Sequence, residues 1–217
     1  MKWRMSHRAD PAALPLADRH YNRQKVGSPQ FVPPGRCLVL LTECERALWV
    51  TSWPFAEYVR HAWAGAWVCS LFRNEGAGRA SDLIRSAVGA TRHFFGDPPD
   101  IGMITFISRK HVKPTKVRGE SVFGWTWAKA GFEHVGETKG GLLAFQLRAV
   151  AMPQPVPAIG SQLDVLSTHG QTGHAPASSH AVTSDVRLRL SPQWYPVLSM
   201  INCPGRRVAG RGFFGEG

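Results

Sequence analysis

The fold of this 217-residue chain is decided by the stretch Phe72-Arg73-Asn74-Glu75-Gly76-Ala77-Gly78-Arg79-Ala80-Ser81-Asp82-Leu83-Ile84. The apolar residues 67–72 are typical of a buried strand, and apolar residues after the stretch recur at helical spacing up to Phe95. The two glycines in between predict a turn that leaves backbone N–H groups unpaired at the start of the helix. Because the helix dipole adds positive potential there, a phosphate or pyrophosphate is the expected ligand.

The spacing Arg73-x-x-Gly76-x-Gly78 resembles the acyl-CoA pyrophosphate loop of the GNAT acetyltransferase superfamily. The alternative is an ordinary glycine turn. The resemblance implies acetyl-CoA or a related acyl-CoA as the cofactor. It implies these cofactor-binding residues: Arg73, Asn74, Gly76, Gly78, Arg79 and Ser81. The hydroxyl group of Ser81 also suits a simple helix cap.

A second segment, Trp127-Ala128-Lys129-Ala130-Gly131-Phe132-Glu133-His134-Val135-Gly136, resembles the end of many GNAT domains. In those domains a short helix ends at the glycine, and Gly131 and Phe132 suit that helix end and a hydrophobic anchor behind it. Trp127 stands where many members carry a tyrosine that is proposed to protonate the departing thiolate. An indole N–H cannot supply a proton at neutral pH. We therefore expect Trp127 to pack in the core, which leaves the acid role vacant or filled elsewhere.

The remaining pattern predicts strands at 36–42 and 47–53 before the central unit, and a strand at 101–107 after it. A closing hairpin is predicted at 133–138 and 142–147. This order predicts an α/β (α+β mixed) fold with a mostly antiparallel central sheet flanked by helices. GNAT domains have the same order, with a splayed central sheet that admits the pantetheine arm.

Three regions are expected along the chain. Residues 1–16 are predicted to be a flexible leader, because Pro11 and Pro15 interrupt any helix. Residues 17–148 form the GNAT-like domain. Residues 149–217 are rich in proline, glycine and serine, and are expected to be a largely disordered tail.

The composition favours an anionic partner. The net charge of +11 predicts attraction to nucleic acid, to the phosphates of CoA, or to both. No apolar run approaches the roughly 20 residues that a membrane span needs, and the N-terminus lacks the apolar core of a secretory signal. Cys37 and Cys44 could meet across a hairpin, but no C-x-x-C pair or metal site is indicated. A reduced, cytoplasmic protein is the simpler interpretation.

A basic run follows the strand at 101–107. It contains Arg109, Lys110, Lys113, Lys116 and Arg118. We predict that these side chains contact nucleic-acid phosphates, a solvated loop being the alternative.

A further set of features, in the same order along the chain, resembles the phage Mom-type proteins, which are related to GNAT enzymes and modify adenine in DNA. The set comprises Asp18-Arg19-His20-Tyr21, Leu71-Phe72-Arg73-Asn74-Glu75, Ser81-x-Leu83-Ile84, Met103-Ile104-Thr105-Phe106 and Gly131-Phe132. The resemblance implies a nucleic-acid substrate and an early His-Tyr pair near the site.

Three catalytic candidates follow. His20 could act as a general base, since imidazole titrates near neutral pH. Tyr21 could donate a hydrogen bond or stack on a nucleobase. Glu75, at the sheet end of the glycine loop, could activate an amine. Packing for the first two, and a salt bridge to Arg79 for Glu75, are the structural alternatives.

The function expected first is an acyl-CoA-dependent N-acyltransferase acting on a small-molecule or nucleobase amine. A Mom-like enzyme that modifies adenine in DNA is the second expectation. A non-catalytic, basic nucleic-acid-binding protein is the third, and the tryptophan at position 127 keeps it open.

Overall fold

A computed structural model describes residues 2–32, 35–54, 59 and 62–161. The described strands are β1 (Trp3–Ser6), β2 (Cys37–Thr42), β3 (Ala47–Ser52), β4 (Trp67–Asn74), β5 (Met103–Ser108), β6 (Thr115–Val117), β7 (Glu120–Val122), β8 (Glu133–Glu137) and β9 (Leu142–Leu147). The described helices are α1 (Leu14–Asp18), α2 (Ala80–Phe95) and α3 (Trp125–Lys129). None of these helices could cross a membrane.

Seven strands form one sheet in the order β1-β2-β3-β4-β5-β9-β8, while β6 and β7 form a separate two-stranded ribbon. Within the seven-stranded sheet β4 and β5 pair in parallel, and the other neighbours are antiparallel. This arrangement confirms the prediction of a mixed α+β fold with a mostly antiparallel sheet. The predicted strands and the closing hairpin agree with the structure to within two residues at each end.

The sheet buries both of its faces. On one face α2 places Leu83, Ile84 and Val88 against a core that contains the fully buried Trp49 and Trp67. The predicted helical spacing of the apolar residues is the cause, since it gathers them on one side of α2. On the other face a second cluster joins α1 and residues 31–32 to the sheet.

The N-terminal segment is not a flexible leader, so the prediction for residues 1–16 is wrong. Trp3 pairs with Thr42 as β1 extends the sheet beyond β2, and its side chain is only 3% exposed. Pro15 lies in the first turn of α1, where a missing N–H costs no helical hydrogen bond. A strand of four residues is too short to be recognised from its sequence pattern, and it forms here because the edge of β2 is available to pair with it.

The start of the predicted tail also packs on the domain. The N–H of Val156 donates to the carbonyl of Gly89 in α2 at 3.1 Å. Met152 and Ala158 are buried, and Ile159 bridges to Arg4 of β1. The boundary at residue 148 is therefore wrong, and the packed unit extends through Ser161. Residues 162–217, for which disorder is expected, lie outside the described residues.

The cysteines are free thiols in the part of the chain that the structure describes. Cys37 begins β2, and Cys44 lies in the turn beyond the other end of that strand. At about 3.3 Å per residue the strand holds them roughly 20 Å apart, so they cannot form a disulfide. Cys203 lies outside the described residues.

The contact between α2 and residues 149–161 predicts the effect of substituting Gly89. A Cβ atom at this position would lie 3.0 Å from the backbone oxygen of Gln154. Gly89→Val should therefore lower the free energy of unfolding by about 1–3 kcal/mol through overpacking. Ser86→Val, on the exposed face of the same helix, is the matched control. Equal stability of the two variants in chemical denaturation would show that residues 149–161 do not press on α2.

Candidate active site

The site is centred on the place where β4 and β5 separate. Their parallel pairing runs from Trp67 with Met103 to Cys69 with Thr105, although both strands continue for several residues. A pocket of about 290 Å³ occupies the gap. Its walls come from β4, β5, the first residue of α2, the loop before β6, α3, and residues 20–21.

A β-bulge lies at the point of separation. On the β3 side of β4, Val50 pairs with Leu71 and Thr51 with Cys69, so Ser70 is the extra residue. A bulge of this kind turns a strand and removes one residue from the regular ladder. Here it turns β4 away from β5 and redirects the carbonyl of Ser70.

The loop that follows α1 fills one side of the gap. The side-chain amide of Asn22 donates to the Ser70 carbonyl at 2.6 Å. The hydroxyl of Tyr21 donates to the Phe106 carbonyl of β5 at 3.1 Å. These two side chains therefore give strand carbonyls hydrogen-bond partners beyond the point where β4 and β5 stop pairing with each other.

Tyr21 lies between two imidazole rings. Its ring stacks on His20 with a centroid distance of 4.5 Å and on His111 with a distance of 5.3 Å and an interplanar angle of 1°. His111 is held in turn by a 2.9 Å hydrogen bond between its Nδ1 and the hydroxyl of Ser108. The structure thus brings the predicted His-Tyr pair together at the pocket. It adds His111, whose position beside Tyr21 was not predicted.

Burial changes the acid–base properties of this stack. Burial lowers the pKa of His20 to about 4, a hydrogen bond with Asn22 opposes the shift, and the charge of Arg73 adds to it. His20 is therefore neutral at physiological pH. Burial also raises the pKa of Tyr21, so that its hydroxyl keeps its proton.

The glycine loop is folded around the side chain of Asn74. The Asn74 amide donates to the Gly78 carbonyl at 2.9 Å and accepts from the N–H of Ala77 at 2.9 Å. Gly76 and Gly78 both have positive φ, 85° and 153°, which a residue with a Cβ adopts only under strain. The predicted requirement for glycine at these two positions is confirmed.

The loop leaves donors free where α2 begins. Among the residues that the structure describes, the backbone N–H groups of Gly76, Gly78, Arg79, Ala80 and Ser81 have no hydrogen-bond partner. Ser81 does not cap the helix with its side chain, and Arg79 is the capping residue. A group of unpaired N–H donors at the positive end of a 16-residue helix suits an anion.

Glu75 is held by two guanidinium groups and not by Arg79. Arg19 and Arg73 donate to its carboxylate at 2.8 and 2.6 Å. Arg79 instead lies 3.9 Å from Asp82. The hydrogen bond from Arg19, with help from Arg73, lowers the pKa of Glu75 to about 2. Both carboxylate oxygens already accept hydrogen bonds from guanidinium groups, so the geometry opposes the predicted role of Glu75 in activating an amine.

Arg73 was expected to bind phosphate, but in the structure Arg73 holds neighbouring residues in place and Arg46 lies closer to Gly76. Arg73 also donates to the Arg19 carbonyl at 2.6 Å, which commits its side chain to holding the loop after α1. Arg46 was not predicted. It donates to the Glu75 carbonyl at 2.8 Å, and a Cβ on Gly76 would lie 2.8 Å from its Nη2. Its place directly before β3 is the signal, since β3 pairs with the end of β4 beside the loop.

Trp127 packs as expected while also lining the pocket. Its ring contacts Phe132, Phe72 and Trp49 with centroid distances of 5.0, 5.8 and 6.0 Å. Helix α3 ends at Lys129 with Ala130 as its C-cap, and Gly131, with a φ of 100°, takes the predicted C′ position. The N–H groups after the helix bond back to the Trp127 and Ala128 carbonyls, the pattern of a Schellman cap.

The residues of the basic run lie in four different settings. Arg109 is paired with Glu137 at 2.7 Å, and Lys113 lines the pocket. Lys116 and Arg118 are exposed on the β6–β7 ribbon and its turn. Lys110 is exposed at the start of the loop. The ribbon therefore carries positive charge beside the mouth of the pocket.

The chain matches no protein-family model, no curated protein and no solved structure. The relation to the GNAT superfamily thus stays a prediction that depends on the residues and geometry above. Within the described ranges, no group of three or more His, Cys, Asp or Glu side chains is arranged to hold a metal ion.

The ion pairs of Glu75 predict a pH-dependent effect on stability. Its pKa in the folded protein is lowered from an ordinary value of 4.5 to about 2, so its contribution is present above pH 4.5 and is lost as the pH falls towards 2. Glu75→Gln should lower the free energy of unfolding by about 1 kcal/mol at pH 7, and by progressively less below pH 4.5.

Urea denaturation between pH 7 and pH 3 measures this difference. Glu120→Gln, at an exposed carboxylate on the ribbon, is the control. A constant difference across that pH range would contradict the ion-pair interpretation.

Proposed function

We propose that the protein is a group-transfer enzyme that moves an acyl group from an acyl-CoA to an amine. The observation that carries the proposal is that the pocket between β4 and β5 extends to Asn74 and Ala80, beside the free N–H groups at the start of α2. A phosphate-binding end next to a pocket fits a nucleotide thioester, whose diphosphate is followed by a long, slender arm. The order of elements that resembles GNAT domains supports the same conclusion.

The residues of the loop fit the diphosphate. The space above Gly78 is open, since a Cβ there would meet no atom within 4 Å. Arg46 lies beside Gly76, and the exposed Arg79 begins the helix. The free N–H groups and these two guanidinium groups would hold phosphate oxygens. When bound, an acyl-CoA supplies an activated carbonyl with a thiolate leaving group.

The chain's own residues supply the proton chemistry. Neutral His20 has a lone pair that can accept a proton from an amine as it attacks. The tyrosine hydroxyl of Tyr21 can donate a proton to a leaving group, which the indole of Trp127 cannot do. Under this proposal the acid function moves from α3 to the loop after α1.

Calorimetry with CoA tests the donor site. Gly78→Val should weaken CoA binding by at least about tenfold, because the new side chain enters the space that the diphosphate needs. Gly141→Val is the matched control, since this glycine also has positive φ and open space but lies in the β8–β9 turn. Equal affinities of the two variants, or no binding of CoA by the parent, would contradict the proposal.

A second candidate is modification of a nucleobase amine in DNA. The aromatic stack of Tyr21 with His20 and His111 at the pocket favours it, because such rings stack on bases that have left the duplex. The exposed Lys116 and Arg118 on the adjacent ribbon suit backbone phosphates. DNA binding without CoA binding would instead fit a non-catalytic nucleic-acid-binding protein.

The salt dependence of DNA binding tests this candidate. Each neutralised phosphate contributes about 0.9 to the slope of log K against log salt. Lys116→Gln combined with Arg118→Gln should therefore reduce the slope by up to about 1.8. Arg85→Gln combined with Arg148→Gln makes the same charge change away from the ribbon. Equal slopes for the two double variants would remove the ribbon from the interface.

A further inference from the structure

We propose that Asn22 is a positioning residue that holds His20 in the tautomer with a proton on Nδ1 and a free lone pair on Nε2. The inference rests on the proposed function for its catalytic meaning. The tautomer itself follows from hydrogen bonds within the chain and can be tested without any substrate.

The Asn22 amide has one possible orientation. Its Nδ2 lies 2.6 Å from the carbonyl oxygen of Ser70. The flipped amide would place two oxygens, both acceptors only, at that distance, which is repulsive. The amide nitrogen must therefore face Ser70, and the Oδ1 of Asn22 faces the other way.

The partner of the Asn22 Oδ1 is the imidazole of His20. This oxygen makes a short contact with Nδ1 of His20. An amide oxygen only accepts hydrogen bonds, so Nδ1 must carry the proton. The backbone N–H of Asn22 also lies 3.4 Å from Nδ1, but that contact is too long to compete with the short one.

The other ring nitrogen of His20, Nε2, carries no proton in this tautomer. A neutral imidazole with a proton on Nδ1 has an unprotonated Nε2. Among the residues that the structure describes, Nε2 of His20 has no hydrogen-bond partner, and His20 lines the pocket. The free lone pair is thus available to an amine that attacks a bound thioester.

The bulge makes this arrangement available. Ser70 is the extra residue of β4, so its carbonyl is free to receive Asn22 instead of a neighbouring strand. The Ser70 carbonyl orients the Asn22 amide, and the amide in turn sets the tautomer of His20. That tautomer leaves the lone pair of Nε2 available as a base. Control of a tautomer by the group behind a histidine is known to matter greatly, since the wrong tautomer in a catalytic triad costs about 10⁴ in kcat.

Nitrogen NMR of the full chain with ¹⁵N-labelled histidine tests the tautomer directly. The multiple-bond ¹H–¹⁵N spectrum distinguishes a proton on Nδ1 from one on Nε2, and His20→Gln identifies the signals. We expect the Nδ1–H form in the parent protein and a shift towards the Nε2–H form in Asn22→Ala. An Nε2–H form in the parent would overturn the inference even if no variant folds.

The catalytic meaning is tested by acetyl-CoA hydrolysis, with water as the acceptor and the released thiol as the signal. Asn22→Ala should lower kcat by about 100-fold, the scale of general-base catalysis, with the KM for acetyl-CoA changed by less than about twofold. Gln30→Ala, on an exposed side chain of the same loop, should leave both constants unchanged.

The two kinds of failure are distinguishable. An unchanged kcat in Asn22→Ala, with its tautomer shifted, would show that Asn22 sets a tautomer that the reaction does not use, and would overturn the positioning role. A parent that neither binds nor hydrolyses acetyl-CoA would overturn the proposed function and with it that role. In that case the tautomer of His20 identified by NMR would still test the hydrogen-bond argument by itself.

Discussion

The interruption of the parallel ladder between β4 and β5 is the constraint on which the rest of the site depends. Two parallel strands normally continue to pair, because each unpaired carbonyl in the interior costs free energy. Here pairing stops after Cys69 and Thr105, and side chains of the loop after α1 take over the freed carbonyls. The pocket exists because that exchange stabilises an open sheet. The exchange is made by Tyr21, the candidate acid, and by Asn22, which holds the candidate base His20.

Contacts of the loop after α1 also tie distant segments of the chain together. Arg19 and Arg73 bind Glu75 between them, which fastens the loop after α1 to the turn that begins α2. The same loop reaches β5 through Tyr21. A carboxylate that first suggested catalysis therefore works as a tether, and its strongly lowered pKa reflects the two cations that hold it.

Local patterns in the sequence predicted the parts of the fold that depend on local physics. The helical spacing after Ala80, the two positive-φ glycines and the helix end at Gly131 follow from backbone sterics and from one amphipathic face. Asn22, Arg46 and His111 could not be predicted in the same way. Their roles depend on the register of β3 against β4 and on a bulge at Ser70, and both are decided by packing between segments far apart in the chain. The edge strand β1 was missed for the same reason, since a short strand needs a partner edge that only the folded sheet provides.

The position of β1 has a consequence for synthesis of the chain. Its free edge is covered by Ile159, which exchanges main-chain hydrogen bonds with Trp3 and Met5. A chain that emerges from the ribosome N-terminus first makes this edge strand early and its cover late. Through most of translation the nascent domain therefore presents an open strand edge, the feature through which unfinished proteins pair with one another. The rate at which the chain is completed, and not only its final stability, then affects how much of it reaches the native state.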